Sequence, residues 1–268
     1  MLRKGICVWT GDPLNKVDMN KRFELFKNVG FDSVMIGWSD DDNELLFKRT
    51  DYPSLADKHG LFIENAHLPF EKANNLWLPS MEGDDYALFI CEQIRECSEF
   101  EIPTVVMHLS KGKTPPSYNE AGLERVKRIV DSAEKFNVNI AFENLRRIEY
   151  LDFIFENINS DKLGFCYDSG HNNCFNPEKD LLGKYKNHLI ALHLNDNMGD
   201  DDMHMLPFDG TANWDKIIKT FKDIDYKGVL SLEVQQDMHL KYQSLSGEEY
   251  LALAFERAIK IEEEIIKL

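Results

Sequence analysis

Cysteine is scarce in this chain: five residues of 268 (Cys7, Cys91, Cys97, Cys166, Cys174), an odd number with no CxxC pair. That usage argues against a disulfide framework and for reduced thiols packed as small core residues in a cytoplasmic protein. Long apolar runs are missing as well. No stretch approaches the roughly 18 to 20 apolar residues of a membrane span, and the run in "MLRKGICVWTGD" is too short for a signal peptide, so the expectation is a soluble, cytoplasmic protein with no membrane partner. Glycine is thin where a phosphate loop would need it. "VWTGDPLN", after the first apolar run, contains one, which disfavours a doubly wound nucleotide-binding sheet. Positive charge is also short: Lys and Arg number 31 against 47 Asp and Glu, a formal net charge of -16. Such a surface repels polyanions at a distance and disfavours nucleic acid or an anionic membrane as the main partner, unless a basic patch or a bound metal overrides it. With no linker, internal repeat or low-complexity segment, a single domain over residues 1–268 is expected.

What is present is an alternation. Short β-branched apolar runs recur at Gly5–Trp9, Ser33–Gly37, Phe62–His67, Thr104–Leu109, Asn139–Asn144, Gly164–Asp168, Ile190–Leu194 and Gly228–Val234. Amphipathic stretches separate them, the clearest at Asp84–Phe100, Asn119–Phe136 and Gly247–Leu268. In the second, Leu123, Val126, Ile129, Val130, Ala133 and Phe136 form one apolar stripe that must rest on a sheet. Strands separated by helices run parallel, and eight such units in a chain of this size predict an α/β fold, a single (β/α)8 TIM barrel. The excursion from Leu68 to Gly83, holding Phe70 and Trp77, is expected to lie over one barrel mouth.

In such a barrel, chemistry sits at the carboxyl ends of the strands. Six successive strands here end in metal-capable side chains: His67, His108, Glu143, Asp168 with His171 just after it, His193, and Glu233. Asp202 and His204 follow in "HLNDNMGDDDMHMLPFDG", which is either a solvated acidic loop or one wall of a metal site. Taken singly, His67 or His108 reads equally as a hydrogen-bonded structural residue. Glu143 and Glu233 differ, because each lies inside an apolar strand ("NIAFEN", "VLSLEV") where an ionised carboxylate needs a partner. That partner is a cation shared with Asp168 and His193, or for Glu143 a salt bridge to Arg146 or Arg147. A mixed carboxylate and imidazole set suits Mn2+, Zn2+, Co2+ or Mg2+. Asp200 and Asp201 read as solvated loop charges, and His59, His188 and His239 follow no strand end.

Glu143, Asp168, His193 and Glu233 would form an arc with the glutamates at its ends. Four protein ligands on an octahedral ion leave two positions, enough to chelate a carbonyl oxygen and the neighbouring hydroxyl of a small-molecule sugar. One glutamate could then remove the acidified α-proton and the other return it, giving epimerisation, or one could do both, giving aldose/ketose isomerisation. Trp9 and Trp38 at the ends of strands one and two, with Phe70 and Trp77, would either face sugar C–H groups or simply pack the rim.

The strings "AHLPF", "VVMHLS", "IAFENL", "CYDSGH", "HLNDNMGDDDMHMLPFDGTANW" and "LSLEV" resemble those of the xylose isomerase-like TIM-barrel superfamily, which holds sugar phosphate isomerases/epimerases and family 2 AP endonucleases. The resemblance runs from about residue 5 to 260 and implies Glu143, Asp168, His193 and Glu233 as ligands of one divalent ion, with the two glutamates as the acid/base pair. It implies His171 as a substrate contact, with His67 and His108 beside it. The endonuclease IV branch uses nine ligands for three zinc ions, and this chain has a residue for each: His67, His108, Glu143, Asp168, His171, His193, Asp202, His204 and Glu233. Against that branch, "LRRIEY" follows "IAFEN" where it has a small Gly-containing turn, "LSKGKTPP" follows His108 without a second loop His, and no run of Arg or Lys is placed to grip DNA. An inosose dehydratase-like lyase stays open. Phosphate on the substrate is undecided, with Lys111, Lys113, Arg146 or Arg147 available to bind it. Barrels of this kind often pair, so a homodimer or homotetramer is compatible with the sequence.

Overall fold

A computed structural model describes residues 1–40 and 47–267. The expected helix Gly247–Leu268 has its last residue outside them. Along the chain run β1 (Lys4–Cys7), α1 (Met19–Val29), β2 (Ser33–Gly37), α2 (Tyr52–His59), β3 (Phe62–His67), α3 (Met81–Glu99), β4 (Thr104–Met107), α4 (Glu120–Phe136) and β5 (Asn139–Glu143). Then follow α5 (Glu149–Asn157), β6 (Leu163–Asp168), α6 (Ser169–Phe175), α7 (Leu181–Tyr185), β7 (Leu189–His193), α8 (Trp214–Asp223), β8 (Leu230–Leu232) and α9 (Gly247–Lys267). All strand pairs are parallel, in the order β7-β6-β5-β4-β3-β2-β1-β8, and a parallel bridge between Leu194 and Leu232 joins the two ends. This is the (β/α)8 barrel.

Four strands are shorter than expected: β4 ends at Met107 and β5 at Glu143, while β1 stops at Cys7 and β8 spans Leu230–Leu232, where the backbone beyond pairs with loops and the Gln235 and Gln236 amides donate to the His204 and Thr10 carbonyls. The excursion after β3 also differs from expectation. It winds into a short 3-10 turn at Ala73–Trp77 and α3 begins early, at Met81. Trp77 is driven into the core, where Gly122 of α4 lets its ring approach so closely that an added Cβ would lie 2.1 Å from it. α4 itself is capped by the Asn119 side chain and ended by Asn137 in the left-handed region (φ 56°), and its predicted stripe is buried apart from half-exposed Phe136.

Successive strand residues face opposite sides. Outward, Val105, Met107, Ile140, Phe142, Phe165, Tyr167 and Leu192 join one large core beneath the helices. Inward, Val106, Ala141, Cys166 and Ala191 form a separate small cluster. Two residues further along β5, β6 and β7, and just beyond β4, the same inner face carries His108, Glu143, Asp168 and His193.

Candidate metal centre

The inner face turns polar at the carboxyl end. Two β-bulges set this up. Val34 pairs with Ile63 but Met35 with Asn65, leaving Glu64 extra, and Phe165 pairs with Leu189 but Cys166 with Ala191, leaving Ile190 extra. One inserted residue switches every later side chain of its strand to the other face, so each bulge re-aims a histidine, His67 or His193, toward the barrel axis.

The strand ends are clasped to one another. The Asn144 amide donates to the Asp168 carbonyl and its side-chain oxygen accepts from the Asp168 N–H, both at 2.8 Å, which ties β5 to β6. Asp168 caps α6 by accepting from the His171 N–H at 2.7 Å, and Asn195 Nδ2 donates to both its carboxylate oxygens at 3.2 and 3.1 Å. Beyond β7, Asp196 accepts from Trp214 Nε1 (2.7 Å) and the Ala212 N–H (3.0 Å) and pairs its backbone with Met205. That hairpin folds Asp202 and His204 back over the mouth, with His204 held at φ 42°, a strained value for a non-glycine residue. Sequence reasoning did not find Asn144, Asn195 or this role of Asp196; their only signal is the Asn or Asp following each ligand in "FEN" and "HLND".

Around buried Glu143 the neighbours are imidazoles. Oε2 lies 3.1 Å from His108 Nε2, 3.4 Å from His67 Nε2 and 3.4 Å from His193 Nδ1, while Oε1 lies 2.8 Å from His171 Nδ1. The alternative salt bridge is absent: Arg147 pairs with Glu149, and the Arg146 guanidinium lies over Phe175. His193 Nδ1 is 3.2 Å from Glu233 Oε2. Asp202 Oδ2 sits between His171 Nε2 (3.1 Å) and His204 Nε2 (3.4 Å).

These donors fit a metal ion. One ligand atom each from Glu143, Asp168, His193 and Glu233 lie within 4.8 Å of one another, as do those of His67, His108 and Glu143. Donors about 2.1 Å from a common ion are separated by about 3 to 4 Å, so little adjustment is required. The wholly buried His193 imidazole makes no well-aligned hydrogen bond, although Nδ1 stands 3.2 Å from Glu233 Oε2, and a bound cation would give it a partner. Cys166 Sγ shares this neighbourhood with Glu143 and His193, but burial pushes its thiol up to about 12 and keeps it protonated.

The electrostatics of the protein alone are those of a cation site filled by protons. Burial, joined by like charge on Glu143, Glu233 and Asp202 against the pull of His171, pushes Asp168 up to about 8. Burial also opposes ionisation of Glu143 and Glu233, yet His108 and His193 hold the first well below the usual range, and His193 and His204 bring the second down to about 2. His204, despite burial, is raised to about 10 by Asp202 and Glu233. His171, His193 and His204, raised by the surrounding carboxylates against the effect of burial, thus carry positive charge where metal charge would stand, whereas burial lowers His108.

A cavity of about 300 Å³ opens above these groups, lined among others by His67, Phe70, His108, Arg146, Phe175 and Glu233. Phe70 lines it. Trp38 and Trp77 do not, which corrects their expected place against substrate: both are buried, with Nε1 donating to Glu96 (2.9 Å) and to the Leu109 carbonyl (2.6 Å). Trp9 is half-buried, edge-on to His67 at 6.3 Å and outside the lining. Asp200 and Asp201 are exposed, and His188 stacks on Phe155 away from the site.

Several known proteins are similar to this chain. The uncharacterized protein y4fM of Sinorhizobium fredii is 36% identical over 134 residues, 47% of this chain and 42% of that one, so the chain spans less than half of that relative's length. A probable endonuclease 4 of Mycoplasma mycoides is 24% identical over 164 residues, covering 53% of this chain and 56% of its own. Among solved structures, D-psicose 3-epimerase from Clostridium cellulolyticum, crystallised with D-tagatose, superposes with a TM-score of 0.78 over 98% of this chain and 99% of that one; at 15% identity the likeness is one of fold. The family described as Xylose isomerase-like TIM barrel matches residues 23–254, and the chain belongs to that family.

Proposed function

We propose that this protein is a divalent-metal-dependent sugar isomerase or epimerase. The observation that carries the reading is the pairing of two glutamates, Glu143 and Glu233, across one donor set with Asp168 and His193, beneath a cavity sized for a small molecule. When bound, the ion would polarise a substrate carbonyl and acidify the adjacent C–H. One of the two glutamates, Glu143 or Glu233, would accept that proton on a carboxylate oxygen; for epimerisation the other, entering the step protonated, would deliver its own proton to the opposite face, and for isomerisation the first would give the proton it accepted to the neighbouring carbon. His171 borders the cavity with Nδ1 against Glu143 and Nε2 against Asp202, and would exchange one of these contacts for a substrate hydroxyl. His67 and His108 border the same space, and the Phe70 and Phe175 rings help to exclude water.

The test is to incubate the metal-loaded protein with a ketose panel in D2O and look for deuterium beside the carbonyl. Incorporation into at least one sugar is expected; no exchange with any sugar, together with nicking of abasic duplex DNA, overturns the reading.

One observation favours a second reading, an endonuclease IV-like AP endonuclease. The His67, His108 and Glu143 trio is as compact as the four-residue set, and His171, Asp202 and His204 form a third group beside them. Metal analysis separates the two: one ion per chain supports the isomerase, three zincs the nuclease. The net charge of -16 favours the smaller, non-polymeric substrate.

A further inference from the structure

The short helix α6 is a wall shared by two cavities. His171 and Phe175 line the one above the metal donors, whereas Asn172 and Asn173 line a second, of about 240 Å³, that is bordered also by residues of α7 and α8. The two share no lining residue. The second is smaller than the roughly 300 to 1,000 Å³ of pockets that take drug-sized molecules, so its occupant has few atoms.

Two buried polar groups in this cavity have nothing to bond. Tyr167 is 3% exposed and belongs to the outer core of β6, yet its hydroxyl makes no hydrogen bond among the described residues. Asn172 is 8% exposed; its Nδ2 donates to the Asn176 carbonyl at 2.8 Å and to the Lys179 carbonyl at 3.2 Å, and its Oδ1 is left without a donor among the described residues. Groups buried to this degree are nearly always hydrogen-bonded. Both line the cavity, so the partner they lack belongs there.

The rim sets the charge of that partner. Lys216 is answered by Asp180 at 3.5 Å, while Lys179 meets no carboxylate among the described residues, so this cavity is left with one unanswered positive charge in a chain of net charge -16. One ammonium matches one carboxylate. Buried Leu182 and Ile217 add an apolar wall. A ligand that satisfies the whole set carries a carboxylate for Lys179, an O–H to donate to Asn172 Oδ1, and an oxygen to accept from the Tyr167 hydroxyl.

We propose that this cavity is a second binding site, separate from the metal centre, for a small hydroxylated carboxylate such as a three-carbon hydroxy acid.

The experiment titrates D-glycerate into magnesium-loaded protein and follows backbone amides by NMR, so that each cavity reports separately. Saturable shifts are expected at Asn173, Lys179 and Thr220, with Kd in the millimolar range. Kd should rise about 10-fold in Lys179→Ala, which removes a charged partner, and about 3- to 10-fold in Tyr167→Phe, which removes only a hydroxyl. Acetate, without the hydroxyls, and glycerol, without the charge, should each bind more weakly than D-glycerate. Shifts confined to the metal cavity, at Ser110 and Arg146, would assign the binding to metal chelation and overturn the proposal. Equal binding of glycerol, or a Kd that neither variant alters, overturns it as well. Binding is read without turnover, so this proposal and the isomerase reading fail independently.

Discussion

The two faces of the same strands make opposite demands on the sequence. Outward, β5 shows Ile140 and Phe142, β6 shows Phe165 and Tyr167, and β7 shows Leu192, large side chains that join the core under the helices. Inward, the same strands show Ala141, Cys166 and Ala191, then Glu143, Asp168 and His193. Large apolar groups on the outer face supply stability, since each fully buried side chain removes about 1.5 to 3 kcal/mol worth of surface from water. Small groups on the inner face leave room above them, and the buried charges placed there cost stability unless a cation compensates them. Stability and chemistry are thus separated by one residue of register.

That contrast can be broken most sharply at the glutamates. Glu143→Gln and Glu233→Gln should each reduce deuterium exchange by at least about 10²- to 10⁴-fold while the chain stays folded by circular dichroism; wild-type rates in either variant would contradict the two-base scheme. On the opposite face of the same strand, Phe142→Ala should lower the unfolding free energy by about 3 to 5 kcal/mol in a denaturant titration and leave metal stoichiometry unchanged. A loss of metal without loss of stability there would show that the faces are not independent.

Asn195→Ala removes the donor that orients Asp168, and a change of about 10- to 100-fold in metal affinity by competition with a chelator is expected, larger than its effect on unfolding. The smallest effect concerns pH. Metal-free protein holds protons that the unfolded chain has already released: on Asp168 between its ordinary 3.8 and about 8, and on His204 between its ordinary 6.5 and about 10. Stability should therefore fall as pH rises, most steeply between 6.5 and about 8 where the two ranges overlap; Glu233, lowered from 4.5 to about 2, acts only below that window. Metal should abolish this slope and be bound more tightly as pH rises, with proton release measurable by calorimetry in buffers of different ionisation enthalpy. A flat metal-free profile would show that protons do not occupy the cation site.

Much of the site was legible because period-two patterning and strand-end position are local properties. Glu143 inside "NIAFEN" advertises an unpaired carboxylate by its context alone, and the six strand ends follow from counting alternations. Trp38 and Trp77, for which contact with substrate and simple packing were both open, illustrate the converse: nearness to strand ends places them near the mouth, but whether an indole turns to the cavity depends on what receives its N–H, here Glu96 and the Leu109 carbonyl far along the chain. The phenyl rings that do line the cavity, Phe70 and Phe175, gain their meaning only from the histidines and cations stacked on them.

The barrel, its metal-capable side chains and the rim on which they stand can be read off the chain directly, because alternation of apolar strands and amphipathic helices is written residue by residue. The direction in which His67 and His193 point emerges only when the strands pair. The reason is physical: a bulge is defined by pairing with the neighbouring strand, so the extra residues Glu64 and Ile190 cannot be recognised until Met35 and Cys166 are seen opposite Asn65 and Ala191.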